Sequence, residues 1–395
     1  MSRTPEHHVE AIRALLPAPG AETVDLHAAL GRRTTAPVTA AWDSPRFDNS
    51  QMDGFALTSA QLAGGTFPVG PTIAAGVDPA TWYPSGLVDA TFCPIMTGAR
   101  LPTGTAAIVP VENTQPGEFT AERVTVPATP AGQFLRLQGS DIRAGEEIIP
   151  AGTELTPIHI ALLASQSITA VEVVRRLRII TVTGGAEINN SGGAATIPDA
   201  NGPLLRALAT RHGMEVLTQL HTDDHPARLA EQLEKAIDRY QPDAVITSGG
   251  ISHGKFEVIR QVLEPGEGAW FGHVDQQPGG PQGLAVFHDT PVIALPGNPI
   301  STLVSFVLFL PPVLRGEPLT PVVAEMGTPA TGLSGGRDQF LRGRWEVVDK
   351  RLVATPLPGT SSHLLAQAAG ATCLIRVPAG TTVEAGNSVD TYPLG

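Results

Sequence analysis

The chain of 395 residues carries only two cysteines, Cys93 and Cys373, far apart and in no C-x-x-C spacing. That shortage fits a reducing compartment and leaves neither a disulfide framework nor a zinc site to build on. Basic charge is scarce as well: 26 Lys and Arg stand against 38 Asp and Glu, a net charge of −12. Nucleic-acid binding needs a basic surface that this balance does not supply, so an anionic ligand would need local donors such as backbone N–H groups, a few cations or a bound metal. Long hydrophobic runs are missing too. The longest, "PISTLVSFVLFLPPVL" (299–314), is too short and too bounded by proline to span a bilayer. The opening "MSRTPEHHVEAIRALLPAPG" has no apolar h-region, so the expectation is no signal peptide, no membrane and a cytoplasmic enzyme or binding protein. Neither GxxxxGK[ST] nor GxGxxG occurs, and no GxSxG elbow supports a serine nucleophile at "TSSH" (360–363).

What is present describes a multidomain globular protein: 42% apolar residues, and 42 Gly with 36 Pro to make many tight turns. The clearest periodicity lies between about 176 and 314. "LRIITVT" (177–183), "MEVLTQLH" (214–221), "DAVITS" (243–248) and "PVIAL" (291–295) read as buried strands. Between them run helices: "NGPLLRALATRHG", with Asn201 placed to cap it, and "PARLAEQLEKAIDRY", with Leu229, Leu233 and Ile237 on one face. "PISTLVSFVLFL" closes the series. This alternation predicts a three-layer α/β domain over 176–318, a mostly parallel sheet with helices on both faces. Residues 1–45 with 136–175 predict an elongated N-terminal domain of helices and linkers, 46–135 a β-rich module inserted into it, and 319–395 a small C-terminal β-barrel.

In an open α/β sheet, ligands bind beyond the carboxyl ends of the strands. Three strands here end in small-residue loops: "TGGAE" (183–187), "TSGGIS" (247–252) and "LPGNPIS" (295–301). Connecting turns alone account for any one of them; three together suggest a shared pocket rim. "HVDQQPGGPQGLAV" (273–286), uncharged between Asp275 and Val286, is neither a helix nor a good strand, and is expected as a loop. Candidate acids are Asp53 in "SPRFDNSQMDGFA" (44–56), with Asp48 nearby, Asp141, Glu187, Asp199, Asp223 and Glu257. Each serves equally as a cap or a solvated loop charge; as a set they suit a hard cation such as Mg²⁺. His221 and His225 flank a strand-to-helix turn, which fits zinc poorly.

Five stretches, "PRFDNSQMDGFA" (45–56), "IMTGARLPTGTAAIVPVENT" (95–114), "GSDIRAGEEIIPAGTEL" (139–155), "VITSGGISHG" (245–254) and "LPGNPIS" (295–301), resemble in order and spacing the molybdopterin molybdenumtransferase family, the bacterial MoeA and gephyrin E-domain type. The resemblance runs over essentially the whole chain. It implies a MogA-like α/β domain and a reaction in which adenylylated molybdopterin is bound, Mg²⁺-dependent hydrolysis releases AMP, and molybdate enters the dithiolene. By position it implies a catalytic set of Asp53, Thr97, Asp141, Glu187, Asp223 and Glu257, with Asp53, Glu187 and Asp223 as metal ligands. Substrate contacts implied are Ser248, Gly249, Gly250, Ser252, Gln277, Pro296, Gly297, Asn298, Pro299, Arg342 and Ser361. It further implies a homodimer with a shared cleft, and a molybdopterin adenylyltransferase as a candidate partner. The chain departs from the family at Gly184, Ala186 and Glu257, and at His273, Gln277 and Gly280 where relatives carry lysines; Lys255 is one replacement. Those departures motivate a second reading, a weakened paralogue that holds pterin as a scaffold. A third, adenylylation by the sheet domain itself, fits the additional N- and C-terminal domains less well.

Overall fold

In the computed structural model, which describes residues 2–185, 188, 196–223, 225–251 and 257–394, the expected parallel strands are adjacent. The strand Arg178–Gly184 lies between Glu215–Thr222 and Ala244–Ser248, both parallel to it, and Thr290–Leu295 continues the parallel run. Pro281–Phe287 and Trp270–His273 complete six strands by antiparallel pairing. Central strands are apolar throughout because both faces are covered: Ile179, Ile180 and Val182 are all fully buried. Ile179 joins a core with the helices Asn201–Arg211, Pro299–Arg315 and the N-terminal helix Pro5–Leu15. Ile180 and Val182 join another with Pro226–Tyr240 and Val258–Leu263.

The chain divides into two compact units, Ala21–Val174 and the remainder, Met1–Gly20 with Arg175–Gly395. The sequence reading grouped residues 1–45 with 136–175; the first twenty residues instead belong with the sheet. The reason is apolar: Val9 and Ile12, 1% and 0% exposed, fill the core beside Phe309 and Leu310. At the helix start, Glu6 pairs with Arg376, which also holds Asp338. Within 21–174, Ala21–Asp25 pairs with Ala170–Val174, and the middle holds a three-stranded sheet, Cys93–Ile95, Gly54–Leu57 and Ala107–Pro110. The C-terminal strands Asp338–Val348, Arg351–Pro356, Val322–Met326, Ser388–Pro393 and Cys373–Val377 close into a five-stranded barrel, as the alternating sequence suggested.

The stretch 273–286 is not the loop expected. Gln276–Gln277 is a short strand paired with Asp338–Gln339 of the barrel, and Pro281–Phe287 is a full strand of the sheet. Side-chain amides explain how so uncharged a segment is ordered. Gln276 and Gln282 are buried; Gln276 Nε2 donates to the carbonyls of Pro278 (3.1 Å) and Gly279 (3.2 Å), and Gln282 Nε2 to Gly279 O (2.8 Å) and Ser305 Oγ (2.6 Å). Charge is missing here because the segment is interior, where an unpaired charge is costly.

Gly54, in the densest N-terminal motif, is required by packing. A Cβ at this position would lie 2.0 Å from the carbonyl oxygen of Val109 on the neighbouring strand. Gly54→Ala is therefore expected to destabilise the 21–174 unit by about 2–3 kcal/mol, read as a lower first transition in thermal unfolding, with any later transition of the sheet unit unmoved.

Candidate active site

The strand order places a topological switch beside Arg178–Gly184: its chain crosses to Glu215–Thr222 on one side, and the next crossover returns to Ala244–Ser248 on the other. Beyond the carboxyl ends of such a pair a crevice opens. Here it is a cavity of about 420 Å³ whose walls include Gly184, Ser248, Gly249, Gly250, Glu257 and Gly297. Two of the three expected loops approach to backbone contact. Gly297 has no room for a side chain, since a Cβ would lie 2.9 Å from the Gly249 Cα. Gly249 and Gly250 follow each other at φ +99° and +65°, a tight turn open to glycine, in which the Gly249 N–H donates to the Leu295 carbonyl at 3.0 Å.

Two helices of sufficient length begin at this cavity. Pro299–Arg315 starts from Asn298, whose side chain caps it by accepting from Ile300 N–H at 3.2 Å; Asn201–Arg211 starts at its wall as well. The positive dipole end of Pro299–Arg315 favours an anion, whereas the Asp199 carboxylate already meets that of Asn201–Arg211. Ser248, one of the expected substrate contacts, has its hydroxyl buried and bonded to Pro296 O (3.0 Å) and Thr302 Oγ1 (3.0 Å). What Ser248 can offer the cavity is backbone.

Asn201, read from the sequence as a helix cap, is the first helical residue; Asp199 performs the capping, accepting from Gly202 N–H at 3.0 Å. Two residues that the sequence reading passed over, Thr183 and Gln219, also bond the Asp199 carboxylate. The signal available was their polarity at strand positions that otherwise read as apolar.

The expected acids divide. Glu257 lines the cavity. Asp223 does not line it: its Oδ1 accepts from His225 N–H (3.1 Å) and its Oδ2 from Arg228 (2.8 Å). Partial desolvation of Asp223 works against ionisation, but those partners together hold its carboxyl below the usual range. With both oxygens engaged, Asp223 fits a metal poorly unless Arg228 is displaced. Glu187 and Ser252, with Ala186 and Lys255, lie outside the described residues.

Three N-terminal motif segments come together within 21–174. Gly98 N–H bonds Ser50 O, Leu101 N–H bonds Asp48 O, and Gly139 N–H bonds Pro45 O. Asp53 Oδ1 accepts from both Thr97 N–H (2.6 Å) and Thr97 Oγ1 (2.7 Å), which lowers its pKa, the backbone bond contributing most. Its exposed Oδ2 carries no hydrogen bond among the described residues, the kind of hard donor Mg²⁺ takes. Asp141 is also exposed, bonded weakly to Ser44 Oγ at 3.5 Å. Arg342, expected to hold an oxyanion, is 4% exposed and donates to Gly359 O and, at 2.7 Å, to Leu364 O. It clamps the turn that carries exposed Ser361. Gln277 sits with Arg342 at a second, small crevice, its Oε1 3.4 Å from Arg337.

Among the described residues no helix is long and apolar enough to cross a membrane. Residues 3–167 match the MoeA N-terminal region (domain I and II), 168–316 a probable molybdopterin binding domain, and 330–394 the MoeA C-terminal region (domain IV). The chain is 32% identical to molybdopterin molybdenumtransferase 2 of Mycobacterium tuberculosis, over 99% of this chain and 100% of the relative. It is 34% identical to the molybdopterin molybdenumtransferase of a Nostoc species, over 74% and 69% respectively. A solved molybdopterin biosynthesis MoeA protein from Pyrococcus horikosii superposes with a TM-score of 0.79 at 25% identity, covering all of both chains. With a relative matched from end to end and a solved structure of the same architecture, this chain belongs to the molybdopterin molybdenumtransferase family.

Proposed function

We propose that the protein inserts molybdate into molybdopterin, acting on the adenylylated form and releasing AMP as molybdenum cofactor forms. The observation that carries this reading is the cavity at the switch point, lined by the Gly249–Gly250 turn and two helix N-termini, within the segment that matches a probable molybdopterin binding domain. Such a site holds a phosphorylated ligand through N–H groups, without the basic surface the composition lacks. Nothing among the described residues favours the scaffold reading: the sheet, the barrel and the strands of the 21–174 unit are in place.

In this reading Mg²⁺ would be held by Asp53 with Glu187 and, once Arg228 is displaced, Asp223, and would supply Lewis-acid polarisation of a phosphoryl oxygen. The chain's own residues do the rest. Thr97 keeps Asp53 ionised and oriented. Gly249, Gly250, Pro296, Gly297, Asn298 and Pro299 shape the pterin-phosphate subsite, with Ser248 and Ser252. Glu257 and Asp141 contribute negative charge that places the metal and water, and Gln277, Arg342 and Ser361 frame the oxyanion side. From the family resemblance we assign the complete cleft to a homodimer, supplied by a separate adenylyltransferase in the cytoplasm. The four-part division 1–45 with 136–175, 46–135, 176–318 and 319–395 belongs to the same proposal, with residues 1–20 attached to the sheet.

Incubation of the purified protein with adenylylated molybdopterin, molybdate and Mg²⁺ is expected to release AMP. Asp53→Ala should lower kcat/KM at least about a hundredfold. A folded protein that consumes no adenylylated substrate under these conditions contradicts the reading. Thr97 provides an independent check. Its donors stabilise the carboxylate, so Asp53 stays charged, and contributes fully to stability, above the ordinary Asp pKa, and loses both only as pH falls through its depressed value. Thr97→Val keeps the N–H but removes the hydroxyl donor. The acid limb of AMP release should then move to higher pH, while an unmoved limb would mean that Asp53 does not control it.

A further inference from the structure

The part of the cavity wall at the start of Asn201–Arg211 is fixed by two side chains that the chemistry above leaves unused. Asp199 Oδ2 accepts from Thr183 Oγ1 at 2.7 Å and from Gln219 Nε2 at 3.2 Å, while its Oδ1 takes the Gly202 N–H at 3.0 Å. One carboxylate thus ties two neighbouring strands to the start of the helix Asn201–Arg211. Two residues further on, Asn201 Nδ2 donates to the carbonyl of Gly297 at 2.7 Å. That bond crosses from one helix start to the loop that begins the other, Pro299–Arg315. The Asn201 Oδ1 is buried with no hydrogen-bond partner among the described residues.

An unpaired buried acceptor lowers stability, and offsets much of what one neutral hydrogen bond contributes; an apolar side chain of similar shape would avoid the loss. Fold stability therefore gives little reason for an amide here. Its effect on the cavity gives a better one. Gly297 lines the cavity and rests on Gly249, so its carbonyl dipole stands beside any ligand held by the two loops. A bare carbonyl oxygen repels an anion; one capped by an amide N–H does so less, and the loop is held with the start of Pro299–Arg315 at the cavity.

We propose that Asn201 is a positioning residue for the anionic end of the substrate, with Asp199 holding its backbone in register. This rests on reading the cavity as the site of the molybdopterin phosphate. The bond acts on the bound ground state, so it should appear in KM more than in kcat.

The test uses the full chain with Asn201→Ala, Asn201→Asp and, as a probe of the site itself, Gly249→Ala. Melting temperature, molybdopterin affinity by calorimetry, and the KM and kcat of AMP release would be measured for each. For Asn201→Ala we expect an unchanged or raised melting temperature, a KM about five- to tenfold higher and a kcat within about twofold of wild type. Asn201→Asp, isosteric but anionic, should raise KM further and weaken binding more at low salt than at high salt. If Gly249→Ala weakens molybdopterin binding and neither Asn201 variant changes KM, the positioning role is overturned and the site reading stands. If Gly249→Ala also leaves affinity untouched, the site reading falls. A drop in melting temperature with unchanged KM would make Asn201 a structural residue and overturn the proposal.

Discussion

The site depends on the close approach of two backbones. Gly249 and Gly297 end neighbouring strands, and a single Cβ on Gly297 would meet the Gly249 Cα at 2.9 Å. Parallel strands bring their carboxyl ends to one edge, but only side-chain-free residues let the loops there meet at a common space. The consequence is an anion site made of backbone in a chain of net charge −12. Global charge and local potential are separate quantities, and the second governs recognition.

Much of this was legible in the sequence because burial imposes period and punctuation. "LRIITVT" and "DAVITS" are continuous apolar runs because both faces of the sheet are covered, and each ends in glycines where the chain must turn at close quarters. The three-layer domain and the closed barrel followed from those patterns. The N-terminal helix did not, since an amphipathic pattern says that one face is covered but not by what. Pro5–Leu15 chose the sheet unit through Val9, Ile12 and the Glu6–Arg376 pair, across more than 350 residues of chain.

Site residues were legible by type and not by commitment. Ser248, Arg342 and Asp223 are polar residues in plausible loops, yet each has its polar atoms engaged by neighbours: Ser248 by Pro296 and Thr302, Arg342 by two carbonyls, Asp223 by Arg228. Partners distant in sequence leave no local mark. Gln276 and Gln282 show the same limit from the other side. Their uncharged surroundings suggested an open ligand loop, but describe an interior turn whose carbonyls need amide donors. Asp53 fared better because its partner, Thr97, stands in an equally distinctive motif.

The central claim is that the molybdopterin phosphate is held by backbone N–H groups at the switch point. A crystal structure of the protein with molybdopterin bound tests it most directly. The account requires the phosphate oxygens within hydrogen-bond distance of the Gly250 N–H and of the first turn of Pro299–Arg315, with the pterin in the adjoining cavity. Molybdopterin seated elsewhere, with that turn contacting only solvent, would contradict it.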